Sequence, residues 1–261
     1  MTILDELAAH AKKRVETAKK QVSSEEIRAR ALSLEPGDFS FERALRKPGI
    51  SFICECKKAS PSRGMIAPEF PYCEIAEEYE QAGADAISVL TEPKWFLGSD
   101  RYLEEISSRV SVPCLRKDFT VDPYMIYEAK LLGASAVLLI CSILTEEEIR
   151  QGILLCDQLG ISALVEAHDE AEVKMALSAG ARVLGVNNRN LKDFTVDMEN
   201  TKRLRELAPP EVVFVSESGV KSPGDVARLR KIGADAVLIG ETLMRSENRG
   251  ELLARLREAG K

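Results

Sequence analysis

GADAISVL at 83–90, GASAVLLI at 133–140, GARVLGV at 180–186 and GADAVLIG at 233–240 are four versions of one phrase, a Gly-Ala step followed by a short apolar run. A glycine at such a step can close a helix in the left-handed region, and the small residue after it lets the chain turn tightly into a strand. From 83 to 133 to 180 to 233 the intervals are 50, 47 and 53 residues, each long enough for two βα units. A four-fold βαβα repeat makes eight units.

Working outward from the phrase, strands are predicted over 50–56, 85–90, 112–116, 135–140, 161–166, 182–187, 212–216 and 235–239. All are nearly continuous apolar runs, the pattern of a parallel sheet covered on both faces. Helix starts carry their own chemistry. Asp122-Pro123 and Ser222-Pro223 each put a cap before a proline at the first helical position, and Thr145/Glu148 and Asp169/Glu172 resemble capping boxes. An open doubly wound sheet is the alternative architecture, but no Gly-x-Gly-x-x-Gly occupies a strand-to-helix turn. The predicted fold is α/β, a single (β/α)8 TIM barrel with an N-terminal helical extension: one domain over 1–261, with the extension at 1–47 and the barrel at 48–261. The barrel then has about 27 residues per unit, as a compact one requires.

The extension reads differently from the rest. Leu4, Leu7, Ala8, Ala11, Val15, Ala18 and Val22 mark one helical face among many charges. Ser23 with Glu26 reads as a capping box opening a second helix, and Ser40 as the cap of a short third one around 41–46. Pro48-Gly49 closes the segment.

With 45% hydrophobic and 30% charged residues, the 261-residue chain can bury a substantial core beneath a solvated surface. A formal net charge of -6 opposes a general nucleic-acid role, because that affinity rests on cations neutralising phosphates. No basic n-region leads into an apolar core at the N-terminus, and no uncharged run approaches spanning length, so a cytoplasmic protein without membrane attachment is expected. Cysteines 54, 56, 73, 114, 141 and 156 form no CxxC pair and lie mostly in apolar runs, as buried reduced thiols do. His10 and His168 have no cysteine cluster beside them, so no metal site is expected.

In a barrel of this kind the reacting groups come from the C-terminal strand ends and the loops after them. Side chains alternate along a strand, so if Glu55 faces the barrel interior then Ile53 and Lys57 do too, while Cys54 and Cys56 face the helices. The same parity groups Lys117 with Leu115, Glu166 with Leu164, and Asn187 with Val183 and Gly185. Two lysines and two glutamates on one rim would tune one another's protonation. Any single one of them could equally be the point where a buried strand reaches water. Ser216-Glu217-Ser218-Gly219-Val220 and Ile239-Gly240-Glu241-Thr242 follow the last two strands, where glycines and helix N-termini commonly bind phosphate. Glu241 can offer such a group only its backbone. The loop Lys57-Lys58-Ala59-Ser60-Pro61-Ser62-Arg63-Gly64 is cationic and hydroxyl-rich, fit to fold over an anion or to lie in solvent.

Together these segments resemble the indole-3-glycerol phosphate synthase family: ECKKASPSRG at 55–64, RKDF at 116–119 followed by DPYMIYEA at 122–129, LVEA at 164–167, GVNNRNL at 185–191, SESGV at 216–220 and LIGETLM at 238–244. They occur in family order across nearly the whole barrel. The resemblance implies conversion of 1-(2-carboxyphenylamino)-1-deoxyribulose 5-phosphate to indole-3-glycerol phosphate, with loss of carbon dioxide and water, and no metal or organic cofactor. It implies that Lys117 is the general acid on the substrate carbonyl, held in place by Glu55, and that Glu166 serves as acid/base in the dehydration. Lys57 and Ser60 would then bind substrate anions, and Asn187 and Arg189 would orient the substrate. Glu217 and Ser218 would line the pocket, and Gly219, Gly240 and Glu241 would contact the phosphate. His168, two residues past Glu166, is assigned to the turn leading into the Asp169 cap.

Three rivals stay open on sequence alone: another phosphosugar barrel such as phosphoribosylanthranilate isomerase or the tryptophan synthase α subunit, an aldolase forming a Schiff base on Lys117, and a non-catalytic barrel that keeps a phosphate pocket. A small phosphorylated molecule is the expected ligand, and a monomer is favoured.

Overall fold

The structure is a computed structural model describing residues 3–190 and 194–261. Its helices are α1 (Ile3–Lys19), α2 (Ser24–Leu32), α3 (Ser40–Leu45), α4 (Tyr72–Gln81), α5 (Asp100–Ser107), α6 (Pro123–Leu131), α7 (Glu146–Leu159), α8 (Glu170–Ser178), α9 (Glu199–Arg205), α10 (Pro223–Ile232), α11 (Glu241–Met244) and α12 (Arg249–Ala259). Eight strands form the barrel: β1 (Ser51–Cys56), β2 (Ala86–Leu90), β3 (Cys114–Lys117), β4 (Ala136–Ile140), β5 (Ser162–Ala167), β6 (Val183–Asn187), β7 (Val213–Glu217) and β8 (Ala236–Ile239). Each lies parallel to the next, and β8 returns to β1 with Ser51 opposite Ala236 and Cys54 opposite Ile239. The TIM barrel predicted from the repeat is therefore present, every strand within two residues of its expected bounds. Gly83, Gly133, Gly180 and Gly233 have φ of 92°, 82°, 96° and 87°, the left-handed values that the repeated phrase requires.

Two apolar layers result from strand alternation. Ile53, Leu115, Leu138, Leu164, Val183 and Val215 fill the barrel interior. Cys54, Cys56, Ile87, Val137, Val165 and Phe214 pack outward beneath the helices. The outward parity expected of Cys54 and Cys56 holds, and burial pushes the Cys54 thiol far above its ordinary pKa.

The extension covers the barrel at both ends. At the N-terminal end, α3 inserts Phe41 and Leu45 into the interior cluster, and the first residues of β1 and β5 bind it: Ser51 Oγ donates to the Ala44 carbonyl, and the Glu42 N–H donates to Ser162 Oγ. At the C-terminal end α1 lies across the mouth, burying Leu7, Ala11 and Val15. Three side chains fix it there, with Arg14 paired to Asp118 at 2.6 Å, Lys19 to Asp122 at 2.7 Å and His10 beside Glu92 at 3.2 Å.

Capping follows expectation at Asp122, Ser222 and Thr145, the last two as complete boxes. Ser23 and Asp169 accept from the N–H groups of Glu26 and Glu172, but the reciprocal half of each box is not formed. Glu172 turns instead to the His168 N–H at 2.7 Å. Ser40 is not a cap: it is the first helical residue of α3, and Phe39 holds the cap position at φ 56°. Insertion of Phe41 into the barrel base fixes where α3 begins, overriding the local preference of the serine hydroxyl. A short antiparallel pairing of Ala59–Ser60 with Gly64–Met65, a 3-10 turn over Cys141–Ile143 and the four-residue α11 are additions that the sequence pattern did not mark.

Candidate active site

Strand parity brings five ionisable or amide side chains to one place. Glu55, Lys117, Glu166, Asn187 and Glu217 stand one step above interior residues of β1, β3, β5, β6 and β7, and all face a cavity of about 350 Å³ at the C-terminal mouth. Lys57 and Ser60, from the loop after β1, close one side, while Ile3, Leu4 and Leu7 of α1 form an apolar roof with Phe96 and Phe119. All twelve residues singled out from the sequence line this cavity: these seven, with Arg189, Ser218, Gly219, Gly240 and Glu241. Leu191, the last residue of the 185–191 motif, lies outside the described residues.

The charges form two linked groups. Lys57 Nζ meets Glu55 Oε1 at 2.5 Å, and Ser88 Oγ donates to the second Glu55 oxygen at 3.3 Å. Lys117 Nζ lies 3.1 Å from Glu166 Oε2 and 3.7 Å from Glu217 Oε2. The contact partners of Lys117 are thus Glu166 and Glu217, whereas Glu55, expected to hold it, grips Lys57 and acts on Lys117 only through its charge. Asn187 Nδ2 donates to Glu166 Oε1 at 3.2 Å, and its own Oδ1 accepts the Arg189 N–H at 3.0 Å.

Burial opposes the charge on Lys117, but Glu166, Glu217 and Glu55 outweigh it and hold the ammonium well above its usual range. Burial also opposes ionisation of Glu166, yet the Lys117 and His168 charges pull its pKa below the ordinary value. Glu217 goes the other way: burial and the neighbouring Glu166 anion raise its carboxyl far above a normal carboxylate. Its Oε1 is buried with no hydrogen-bond partner among the described residues. Two carboxyl groups two strands apart are thereby shifted in opposite directions around one ammonium. A side chain at Gly185 would strike Glu217 Oε1, so glycine in β6 makes room for this carboxyl.

The rim beyond the last strands is built differently from expectation. Ser222 and Asp225 engage each other's N–H groups in a complete box at the start of α10, leaving fewer donors there for an anion. Instead Ser218 and Gly219 hold successive left-handed conformations, φ 66° and 107°. Gly240 packs so closely on Glu55 and Lys57 that a Cβ would collide with both. The Glu241 carboxylate draws arginines to the rim: Arg63 at 3.1 Å, Arg245 at 3.2 Å and Arg189 at 3.8 Å.

The sequence did not single out Arg245 or the α1 roof, and it assigned His168 to the turn before Asp169, where it lies, without its approach to Glu166 at 3.4 Å. Arg245 was visible only as the residue one turn beyond Glu241. His168 has the same parity as Glu166, which was the available signal. Nothing local in residues 3–7 says which end of the barrel they cover.

The family model for indole-3-glycerol phosphate synthase matches residues 4–256. Indole-3-glycerol phosphate synthase of Ruminiclostridium cellulolyticum is 57% identical over 256 residues, covering 98% of both chains. That of Endomicrobium trichonymphae is 52% identical, covering 98% of this chain and 100% of the relative. Among solved structures, 3-hexulose-6-phosphate synthase from Salmonella typhimurium has a TM-score of 0.65 at 14% identity, covering 80% of this chain and 98% of that one, a likeness of fold alone. Matched along nearly its whole length, the chain belongs to the indole-3-glycerol phosphate synthase family, carboxy-lyases that act on a small phosphorylated substrate to form indole-3-glycerol phosphate in tryptophan biosynthesis.

Proposed function

We propose that Lys117 and Glu166 divide the chemistry, Lys117 as general acid in ring closure and Glu166 as base in dehydration, with Glu217 as the proton reserve between them. The observation that carries this is Lys117 Nζ standing 3.1 Å from Glu166 and 3.7 Å from Glu217, two buried carboxyl groups whose surroundings shift them in opposite directions. Ring closure joins the carboxyl-bearing aromatic carbon to the substrate ketone, and the ketone oxygen needs a proton as the bond forms. An ammonium in a largely water-excluded pocket supplies it. Loss of carbon dioxide returns its bonding electrons to the ring and restores aromaticity. The new hydroxyl then leaves as water, taking a proton from the Glu217 carboxyl, while Glu166 removes the proton from the carbon beside the ring nitrogen. The overall reaction consumes one proton from solvent, which resets Lys117. The Glu166 carboxylate that keeps Lys117 charged also opposes a Schiff-base role, because a nucleophilic lysine must be neutral.

The aromatic ring of the substrate fits the wall made by Leu7, Phe96, Phe119 and Leu138, and its carboxylate faces Lys57 and Ser60. The phosphate is taken by the backbone of Ser218–Gly219 and Gly240–Glu241, with Arg63, Arg189 and Arg245 turning to it from the Glu241 carboxylate, which itself repels an anion. We read residues 1–47 and 48–261 as one domain, since the roof of the cavity comes from the extension. The net charge of -6 argues against nucleic acid as a partner. No helix of the described residues is long and apolar enough to cross a membrane. Six buried free cysteines, as a reducing compartment keeps them, support a cytoplasmic enzyme.

The division of labour is tested by single turnover of Glu166→Gln with the carboxyphenylamino-deoxyribulose phosphate, following carbon dioxide and indole fluorescence together. Carbon dioxide is expected near the wild-type rate, with indole slowed by about 10²-fold or more, the range for loss of a general base. Equal slowing of both products would place Glu166 in ring closure instead.

A further inference from the structure

His168 enters no step of the mechanism above and does not line the cavity, yet its ring is the second cationic group set against Glu166. The chain leaves β5 at Ala167, and His168 keeps the parity of Glu166, so the two side chains rise on the same side of the strand. Nε2 stands 3.4 Å from Glu166 Oε1, buried and without any other partner among the described residues. The opposite nitrogen is firmly held: Nδ1 lies 3.0 Å from Glu172 Oε2 and 3.2 Å from Ser142 Oγ. Glu172 is fixed in turn, accepting from the His168 N–H at 2.7 Å and from the Ser142 hydroxyl at 2.6 Å. Asn200 Nδ2 donates to the His168 carbonyl at 3.0 Å and tethers the turn from α9. The result is a line of groups, Glu166, His168, Glu172 and Ser142, running from the cavity outward between β5 and the 3-10 turn after β4.

A carboxylate at Nδ1 fixes the proton there, which leaves Nε2 with two states. A lone pair on Nε2 would oppose the Glu166 anion, whereas an N–H would attract it, so an imidazole between two carboxylates favours its cation. Burial opposes that charge, but Glu172 and Glu166 outweigh it and hold His168 above its usual pKa. The other ionisable groups facing this line are Lys117 of β3, Glu217 of β7 and Glu55 of β1 on the cavity side, with Asp169 and the Cys141 thiol on the outer side.

Resting on the reading of Glu166 as the base, we propose that His168 is a positioning residue: clamped by Glu172 and Ser142, it turns an N–H toward Glu166 and keeps that carboxylate, and not Glu217, the unprotonated member of the pair. With the imidazolium gone, only Lys117 and Asn187 would oppose protonation of Glu166. The two carboxyls would then compete more evenly for one proton, and a larger share of the enzyme would have base and acid exchanged.

The test is the pH profile of single-turnover indole formation in His168→Gln, Glu172→Gln and the double variant, with thermal melts to show folding. In His168→Gln the acid limb should move to higher pH, and the rate below that limb should fall about tenfold for each unit of movement. KM should change little, since His168 is not itself among the residues lining the cavity. Glu172→Gln should move the limb in the same direction by a smaller amount, and the double variant should match His168→Gln alone, because the two act through one line of contacts. A limb coinciding with wild type in His168→Gln, or additive effects in the double variant, would overturn the proposal. If His168→Gln does not fold, Glu172→Gln decides in its place, an unmoved limb sinking the idea. An inactive Glu166→Gln beside a wild-type profile in His168→Gln refutes only the positioning role. Full indole formation by Glu166→Gln refutes the base reading itself.

Discussion

Glu166 and Glu217 carry the same functional group, share one ammonium, and are shifted in opposite directions by what surrounds them. Their positions were legible in the sequence, since the alternation that places Val213 and Val215 inside the barrel also places Glu217 there. Their protonation was not, because it depends on Lys117 and His168, which come from other strand ends. Stability should record the difference. Glu217 has a folded pKa raised above its unfolded value, so the folded chain binds more protons than the unfolded one, and its contribution is lost as pH climbs from the ordinary carboxylate range through the raised value. Glu217→Gln, an uncharged shape match for the protonated acid, should therefore melt higher than wild type at alkaline pH, with the gap closing toward pH ~4 where both side chains are neutral. Melting curves across that window check it, and a gap that widens on acidification would contradict it.

At the scale of elements, the four Gly-Ala steps and the prolines after Asp122 and Ser222 made the barrel readable before any coordinates. Local chemistry was sufficient there because each signal acts within one turn. The extension was harder. Its amphipathic face was evident, but a hydrophobic stripe says only that a helix packs, and the choice of the barrel mouth for α1 and the base for α3 lies in partners more than 100 residues away. Arg14 shows this: its guanidinium reaches both oxygens of the buried Asp118, at 2.6 and 3.1 Å. Arg116 also lies 4.0 Å from that carboxylate, and Thr91 Oγ donates to it at 2.6 Å, so removing Arg14 weakens the site without leaving a bare charge. Arg14→Ala should cost about 2 kcal/mol, the scale of hydrogen bonds to a charged group. Because Ile3, Leu4 and Leu7 of the same helix line the cavity, KM should rise more than kcat falls. An unchanged melting temperature together with an unchanged KM would show that Arg14 does not help to hold α1 in place.

The whole molecule has a net charge of -6, yet six cations, Lys57, Arg63, Lys117, Arg189, Lys221 and Arg245, line one 350 Å³ cavity. The barrel accounts for this concentration: parallel strands end together, so one side chain from each of several strands meets at a common rim, and eight loops and an extension close it. Fold alone leaves the chemistry open. The residues at those ends decide it, and they were readable because strand parity is rigid. The arginines around Glu241 and the α1 roof were not, being set by loops that have no period. The most direct test is single-turnover indole fluorescence in Lys117→Met against wild type, with substrate binding measured in parallel. Indole formation should slow by ~10²–10⁴-fold, the worth of a general acid, while the substrate still binds. Indole appearing from Lys117→Met at the wild-type rate would contradict the account.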